Sequence, residues 1–327
     1  MASLAAVLVA FATASGATPA ERLRAAHAAE NQLTFRGRLN TATFAGSASV
    51  SSEVVIYRKP GCCRLEYQSP ALRGLVMIEN GDRFIRLNPD QKTAYVGFAR
   101  REPGRLELLL KNYTVASEGV EPLMGQPADV LTVRHARAGH PSKKIWVHRE
   151  TSLILRSEYY SSDGALASRT VYSEIEWNPR LDDRLFEIPA EWKQITLEDD
   201  SASRWDRTTL AKEAGFTLRE PAHLPEGYVF DGFKVCRCRS GVVCVQMRYA
   251  DGLNSFSIFE RFSRCPGRCC GPGHGKGWRW RQGSQGGCEL LACQPGRVLT
   301  RDLDGLTCIF VGDLPEEEMT RIANSLK

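Results

Sequence analysis

Six residues that could bind a metal or form disulfides lie in one glycine-rich stretch, CPGRCCGPGHGKGWRWRQGSQGGCELLAC, at positions 265–293. They are Cys265, Cys269, Cys270, His274, Cys288 and Cys293. Four soft ligands of this kind could hold zinc tetrahedrally, although the spacing CxxxCCxxxH with CxxxxC is not a standard zinc pattern. In an oxidising compartment the thiols would instead form disulfides. We therefore expect an insertion closed by disulfides, with a metal site or redox-active thiols as the alternatives.

Other cysteines lie on segments with strand-like patterns. Cys236 and Cys238 share one face of a strand, and a three-residue turn would place Cys238 opposite Cys244, where a cross-strand disulfide is possible. Cys62 and Cys63 point to opposite faces of their strand. The chain has 11 cysteines. Because this number is odd, at least one thiol has no disulfide partner within the chain.

Known catalytic motifs are absent from the sequence. The chain has 6 histidines, none in an HExxH arrangement, and it has no GxSxG nucleophile elbow. The run at 271–277 resembles a phosphate-binding loop, but Gly277 stands where a Ser or Thr would bind magnesium. The acidic residues near the C-terminus are typical of turns and of a helix N-terminus. The sequence therefore predicts no enzyme, and no resident metal or cofactor.

Composition and charge indicate an exported globular protein. The chain has 327 residues, 43% hydrophobic and 25% charged, which is enough for two cores. Its net charge of +5 is modest and its arginines are dispersed among acidic residues, which argues against nucleic acid as a partner. Residues 1–17 are typical of a secretory signal peptide, although a basic n-region is missing. We expect an exported protein whose mature chain is soluble.

Residues 18–194 have the pattern of an antiparallel meander with helices on one side. Thr18-Pro19-Ala20-Glu21 is a capping box and predicts a helix. From Phe35 to Trp177, short β-type runs are separated by turn residues. A Leu-rich stretch at 104–113 interrupts them and predicts a second helix. A curved antiparallel sheet with its concave side closed by one or two helices fits these elements better than a sandwich, in an α+β protein.

A second, smaller α+β domain is predicted for residues 208–327, after a polar linker at 195–207. It should begin with a short helix closed by Gly215. Several strands, interrupted by the cysteine-rich insertion, should follow. A last helix should begin at Pro315, with three glutamates where the helix dipole favours anions.

The stretches around the insertion resemble the MucB/RseB family. LPEGYVF (224–230), YADGLNSFSIFE (249–260) and FVGDLPEEEMTRIANSLK (310–327) resemble the C-terminal domain of that family in order and spacing. KKIWVHRETSLILRSEYYSSDGALASRTVYSEIEWNP (143–179) resembles its first domain, whose fold is similar to the lipoprotein carriers LolA and LolB. The resemblance implies an α+β fold in which a half-open antiparallel β-barrel is covered by helices. The insertion and the adjacent Cys62 and Cys63 depart from the family pattern.

The resemblance implies a periplasmic regulator that binds the exported part of a membrane anti-sigma factor and releases it on a lipid-type signal. One alternative is a lipid or lipoprotein carrier of the LolA type. A second alternative is a metal or thiol-redox module centred on the insertion.

Candidate binding residues follow from the predicted buried faces of the strands. In the last β-type run of the first domain, Val171, Ser173, Ile175 and Trp177 should share one face. The candidates for an apolar ligand cradle are Met77, Trp146, Ile154, Val171 and Trp177. The candidates for contact with a protein partner are Tyr249, Phe256 and Phe259.

Overall fold

Two β-sheets, one from each half of the chain, form the framework of the protein. The computed structural model describes residues 16–45, 48–99, 104–137, 139–197, 206–237, 243–263 and 296–327. The helices in these residues are α1 (Pro19–Ala29), α2 (Arg105–Asn112), α3 (Arg207–Ala214) and α4 (Glu316–Asn324), with a 3₁₀ helix at Asp183–Phe186. The cysteine-rich stretch 265–293 and the predicted signal peptide up to residue 15 lie outside the described residues.

The first sheet has twelve strands. They are β1 (Phe35–Ala45), β2 (Ala48–Lys59), β3 (Cys62–Tyr67), β4 (Val76–Asn80), β5 (Arg83–Asn88), β6 (Thr93–Phe98), β7 (Tyr113–Leu123), β8 (Gln126–His135), β9 (Ser142–His148), β10 (Ile154–Tyr160), β11 (Leu166–Trp177) and β12 (Lys193–Thr196). Their order is β12-β6-β5-β4-β3-β2-β1-β11-β10-β9-β8-β7. All neighbours are antiparallel except β12 and β6.

The first sheet is open, because β12 and β7 stand at opposite ends of the strand order. The expected antiparallel meander with helices is confirmed, whereas a closed barrel is not formed among the described residues. Strand β12 ends at Thr196, so the sheet continues two residues into the segment predicted as linker.

Helix α1 forms as its capping box predicts. The Thr18 hydroxyl accepts a hydrogen bond from the Glu21 amide at 3.2 Å, and the Glu21 carboxylate accepts one from the Thr18 amide at 2.7 Å. Leu23 and Ala26 of α1 are buried against the sheet. The helix therefore covers one face of the sheet, next to strand β7.

Strand β11 contains a β-bulge that reverses the side-chain alternation. Arg38 of β1 lies opposite Glu174 and the next residue, Leu39, lies opposite Tyr172, so Ser173 is the extra residue. As a result Tyr172, and not Val171, shares a face with Trp177. The predicted face of Val171, Ser173, Ile175 and Trp177 is therefore wrong at its first two members. The reason is that strict alternation holds only where no residue is inserted.

The second sheet belongs to the C-terminal domain and has five strands in the order β13-β14-β15-β17-β16. They are β13 (Val229–Arg237), β14 (Val243–Ala250), β15 (Ser255–Phe262), β16 (Arg297–Leu303) and β17 (Leu306–Gly312). Helices α3 and α4 bury Leu210, Met319 and Ile322 against one face of this sheet. The predicted α+β character of this smaller domain is thus confirmed.

Candidate binding surfaces

One face of the first sheet carries helices α1 and α2, and we call it the helix face. Beneath the two helices, Leu131 and Ile145 are buried together with Leu23. Further along the same face, Phe35, Tyr172 and other apolar residues form a second buried cluster. This face is therefore filled by core side chains over its central strands.

The helix face becomes less crowded toward β3 and β4. Tyr67 and Met77 are partly buried there, with the Tyr67 hydroxyl 3.9 Å from the Met77 sulfur. Register places Met77 opposite Leu65, and Leu65 opposite Ile56, so these residues continue the face that Phe35 and Trp177 occupy.

The five candidate cradle residues do not share one surface. Met77, Ile154 and Trp177 belong to the helix face, where Ile154 packs against the cluster under α1 and Trp177 stacks on His148 at 5.4 Å. Trp146 and Val171 lie on the opposite face. Trp146 is 3% exposed and donates its indole N–H to Glu121 at 2.7 Å, whereas Val171 lines an open polar cavity of about 350 Å³. The bulge in β11 explains why Val171 is separated from Trp177.

The opposite face is crossed by residues 181–192, which we call the strap, and this face is the strap face. Phe186 of the strap is 1% exposed and packs on Ile78 and Ile85. The Asn80 side-chain amide donates to the Phe186 carbonyl at 3.3 Å, and the Arg64 guanidinium donates to the Leu185 carbonyl at 2.9 Å. These contacts fix the first half of the strap to β3 and β4.

A cleft of about 510 Å³ lies between the strap and the sheet, and we call it the strap cleft. Its lining residues are Arg64, Val76, Leu87, Pro89, Asp182, Arg184, Leu185, Glu187, Pro189 and Trp192. Val76 and Met77 are neighbours on β4, yet only Val76 faces the cleft. Met77, the residue predicted for the ligand cradle, lies on the helix face instead.

The junction of the two domains is a buried polar cluster that the sequence patterns did not indicate. The Tyr113 hydroxyl donates to the Asp251 carboxylate at 2.6 Å, and the Asn112 amide donates to the carbonyls of Asp251 and Gly227 at 2.9 Å. Asp251 is 1% exposed. Burial and the neighbouring Asp251 carboxylate raise the pKa of Tyr113, so this hydroxyl keeps its proton and acts as a donor.

A second contact between the domains involves Asp313. Its carboxylate accepts hydrogen bonds from the Tyr159 hydroxyl at 3.1 Å and from the Ser162 hydroxyl at 3.0 Å. Arg137 and Glu226 add an ion pair between the domains at the surface. The two domains are therefore joined by hydrogen bonds to two buried carboxylates.

The three aromatic candidates for partner contact are buried in the C-terminal domain. Tyr249, Phe256 and Phe259 are 3%, 1% and 6% exposed, so they present no free surface in this conformation. The exposed apolar side chains of this domain include Val229 and Phe230 on the edge strand β13, which are 46% and 45% exposed. The Phe230 ring lies 5.6 Å from that of Tyr249. The buried Tyr249 thus packs beneath the exposed Phe230.

The strand register corrects the predicted cysteine pair. Cys236, and not Cys238, lies opposite Cys244, because the connection between β13 and β14 is longer than a three-residue turn. Cys238 and the thiols of the insertion lie outside the described residues. Cys63 and Cys62 point to opposite faces, as expected: Cys63 is buried on the helix face and Cys62 packs on the strap face.

The described residues form neither a metal-binding cluster nor a membrane-spanning helix. No group of three or more His, Cys, Asp or Glu side chains there is placed to hold a metal ion. Among the same residues, no helix has the length and apolar character needed to cross a membrane. What the geometry offers is an apolar cleft, an exposed aromatic edge and a polar domain junction.

Comparisons with known proteins agree with this architecture. A sequence model of the MucB/RseB N-terminal domain matches residues 73–191. A comparison with curated proteins gives no match. A chain in the Pseudomonas aeruginosa MucA/MucB complex is similar, with a TM-score of 0.63 and 18% identity over 94% of this chain and 98% of that chain.

Two further structures show the same likeness. MucB in complex with MucA(peri) gives a TM-score of 0.62 at 18% identity, over 94% of this chain and 98% of that chain. A structure of MucB gives 0.55 at 16% identity, over 94% and 97%. At these identities the likeness concerns the fold. The resemblance expected from the sequence is confirmed: residues 73–191 match the MucB/RseB N-terminal domain, and the chain as a whole has a fold similar to that of MucB.

Proposed function

We propose that this protein is an exported, periplasmic regulator that binds the exported part of a membrane anti-sigma factor and performs no catalysis. The observation that carries the proposal is the likeness of fold over 94% of the chain to a protein solved in complex with MucA. Both domains are covered by that likeness. A role that uses both domains, rather than the first alone, therefore has the stronger support.

The partner surface that we propose is the outer edge of β13. Val229 and Phe230 are exposed there, on a strand that pairs on one side with β14. An edge strand can accept an extended peptide through its free main-chain groups, while exposed apolar side chains add contact area. Phe230 rests on Phe233, with ring centroids 4.7 Å apart, so its ring is held in place before binding.

A lipid or lipoprotein signal that releases the partner belongs to the same proposal. Its support is the less crowded end of the helix face at Tyr67 and Met77, together with the apolar strap cleft. A ligand can shift the partner equilibrium only if it binds one of the two states more tightly.

Binding of the exported partner segment by the purified protein tests the proposal. The probe is the exported part of a one-span membrane anti-sigma factor from the same organism, and affinity is measured by titration calorimetry. We expect binding by the full chain, and a loss of about tenfold or more for Phe230→Ala, since central aromatic contacts carry about 2 kcal/mol.

Phe98→Ala is the matched control. Phe98 is 64% exposed and lies on β6 of the first sheet, so its removal should leave affinity unchanged. Absence of binding by the wild-type chain would refute the proposed function. If Phe230→Ala and Phe98→Ala lose the same affinity for the partner segment, β13 is not the partner surface, although the proposed function would stand.

A further inference from the structure

The strap cleft is built from parts that are fixed before any ligand arrives. Phe186 anchors the strap on the sheet, with the Lys59 ammonium 4.9 Å from its ring centre. At the other end of the strap, the Lys193 amide donates to the Lys92 carbonyl at 3.0 Å, where β12 joins β6. The segment between these two attachments arches over Val76 and Leu87.

The middle of the strap cleft is apolar, and its charged side chains, among them the exposed Glu187, stand at the rim. Val76 and Leu87 are 9% and 3% exposed and form the floor. At the rim, Arg64 pairs with Glu66 at 2.7 Å and Arg184 pairs with Asp182 at 2.5 Å. A volume of about 510 Å³ lies within the range of roughly 300–1,000 Å³ found for small-molecule sites.

The walls of the cleft offer few hydrogen bonds to a ligand. Pro89 and Pro189 have no amide N–H, and the Trp192 amide already donates to the Pro189 carbonyl at 3.0 Å. Two nitrogens of the Arg64 guanidinium are engaged by Glu66 and by the Leu185 carbonyl. A peptide segment would leave its main-chain groups unsatisfied here, which is costly, whereas a hydrocarbon chain has no such groups.

We infer that the strap cleft binds a single alkyl chain, on the face of the sheet opposite to helices α1 and α2. The inference deepens the lipid response of the proposed function and rests on that part of it, while partner binding through β13 is independent of it. The alkyl chain of the ligand lies between the strap and the floor of Val76 and Leu87, and the ligand's head group stays in water at the rim. A fatty acid and a lysophospholipid share this chemistry.

Displacement of a fluorescent fatty-acid probe, 12-(dansylamino)dodecanoate, from the full-length protein tests the inference. We expect hexadecanoate or palmitoyl lysophosphatidylcholine, each below its micellar concentration, to displace the probe. If both the lysolipid and the acid displace the probe, the cleft recognises the alkyl chain whichever head group it carries. If only the acid displaces the probe, the ligand is a free fatty acid. Failure of both to displace the probe, or of the probe to bind, would overturn the inference.

Two adjacent substitutions on β4 locate the site. Val76→Phe fills the cleft and should weaken probe binding at least tenfold, whereas Met77→Phe, on the helix face, should change it less than twofold. Pro189→Glu, at an exposed position of the arch, keeps the core intact and should also weaken the probe at least tenfold. If all three variants bind the probe with equal affinity, the alkyl chain binds outside the strap cleft, and the inference is overturned.

The same variants separate this inference from the proposed function. Binding of the exported partner segment by Val76→Phe and Pro189→Glu should persist in the absence of alkyl ligand, with melting temperatures that show intact folding. If the partner fails to bind wild type while the probe behaves as expected, the regulator proposal falls alone. If the partner binds and the probe does not respond to Val76→Phe, the alkyl-chain site falls alone.

Discussion

At the scale of single residues, burial acts on two charged side chains that lie apart from any binding surface. Glu260 of β15 is fully buried, and its carboxylate accepts hydrogen bonds from the Arg219 amide at 3.2 Å and from the Cys308 thiol at 4.0 Å. Burial raises the pKa of Glu260 to about 7. On β9, burial lowers the pKa of Lys143. In both cases the neutral form is favoured.

Glu260→Gln should remove a pH-dependent loss of stability. Below about pH 4.5 the carboxyl is protonated in both the folded and unfolded states, so it has no effect on stability there. As the pH rises through 7, the unfolded chain releases its proton first, and the free energy of unfolding falls by roughly 3 kcal/mol. The variant should therefore be more stable than wild type at pH 8 and similar at pH 4, in urea unfolding. Glu317→Gln, at an exposed position, is the control, and identical pH profiles for wild type and Glu260→Gln would contradict the expectation.

Lys143→Met should stabilise the protein. No carboxylate among the described residues forms an ion pair with this ammonium, which faces the apolar cluster beneath the helices. We expect a gain of about 1 kcal/mol at pH 7, because a desolvated charge is replaced by an apolar chain of similar length. Because the pKa of Lys143 is lower in the folded state, the unfolded chain binds more protons than the folded chain as the pH approaches 10. The free energy of unfolding of the wild type should therefore rise toward pH 10, and this rise should be absent in Lys143→Met.

The neighbouring lysine is the matched control for Lys143. Lys144 points to the strap face and pairs with Glu118 at 2.9 Å. Lys144→Met should therefore be neutral or slightly destabilising in the same chemical unfolding series. If both substitutions stabilise equally, burial of Lys143 is not the cause.

At the scale of the elements, local sequence signals located the helices and strands well. They failed where the strand register depends on contacts between residues far apart in the sequence. The capping box at Thr18 fixes the start of α1 because its partners are three residues apart. The bulge at Ser173 has no such local signal, since it depends on how β11 pairs with β1. One inserted residue then moved Val171 to the other face. The register of Cys236 with Cys244 was missed for a related reason, because the length of the connecting turn had to be assumed.

The turn between β14 and β15 is the element that docks the C-terminal domain. Gly252 in this turn has a φ of +102°, and a Cβ there would overlap the Leu109 backbone and lie 2.8 Å from the Leu108 carbonyl carbon. Helix α2 and this turn therefore approach each other as closely as their backbones allow. Leu253 of the same turn packs against the cluster under α1 and α2.

Gly252→Ala should separate the domains, because the added methyl group cannot fit against α2. We expect faster hydrogen exchange in α2 and faster proteolysis between the domains. Gly164→Ala is the matched control, since Gly164 has a φ of +82° but has no atom within 4 Å of the added Cβ. The control carries only the backbone strain of about 1 kcal/mol. Equal behaviour of the two variants would show that close packing at Gly252 does not hold the junction.

At the scale of the whole molecule, function depends on how two separately folded cores are joined. Each domain has its own buried cluster, and hydrophobic patterning predicted both. The carboxylates of Asp251 and Asp313, which join them, belong to turns with no periodicity. A sequence read alone treats such residues as turn formers, and only the relative placement of the domains shows that each carboxylate accepts a tyrosine hydroxyl.

The double variant Tyr113→Phe/Tyr159→Phe should weaken both the junction and partner binding. Each change removes one hydroxyl from a buried carboxylate and should cost about 1–3 kcal/mol of docking free energy, while leaving the ring in place. A partner that contacts both domains gains affinity from their fixed arrangement, so its affinity should fall about tenfold when that arrangement loosens. Small-angle scattering of the free protein should show a larger radius of gyration. Tyr95→Phe, whose hydroxyl forms no hydrogen bond with the described residues, is the control; a double variant that scatters and binds like this control would mean that the partner uses one domain alone.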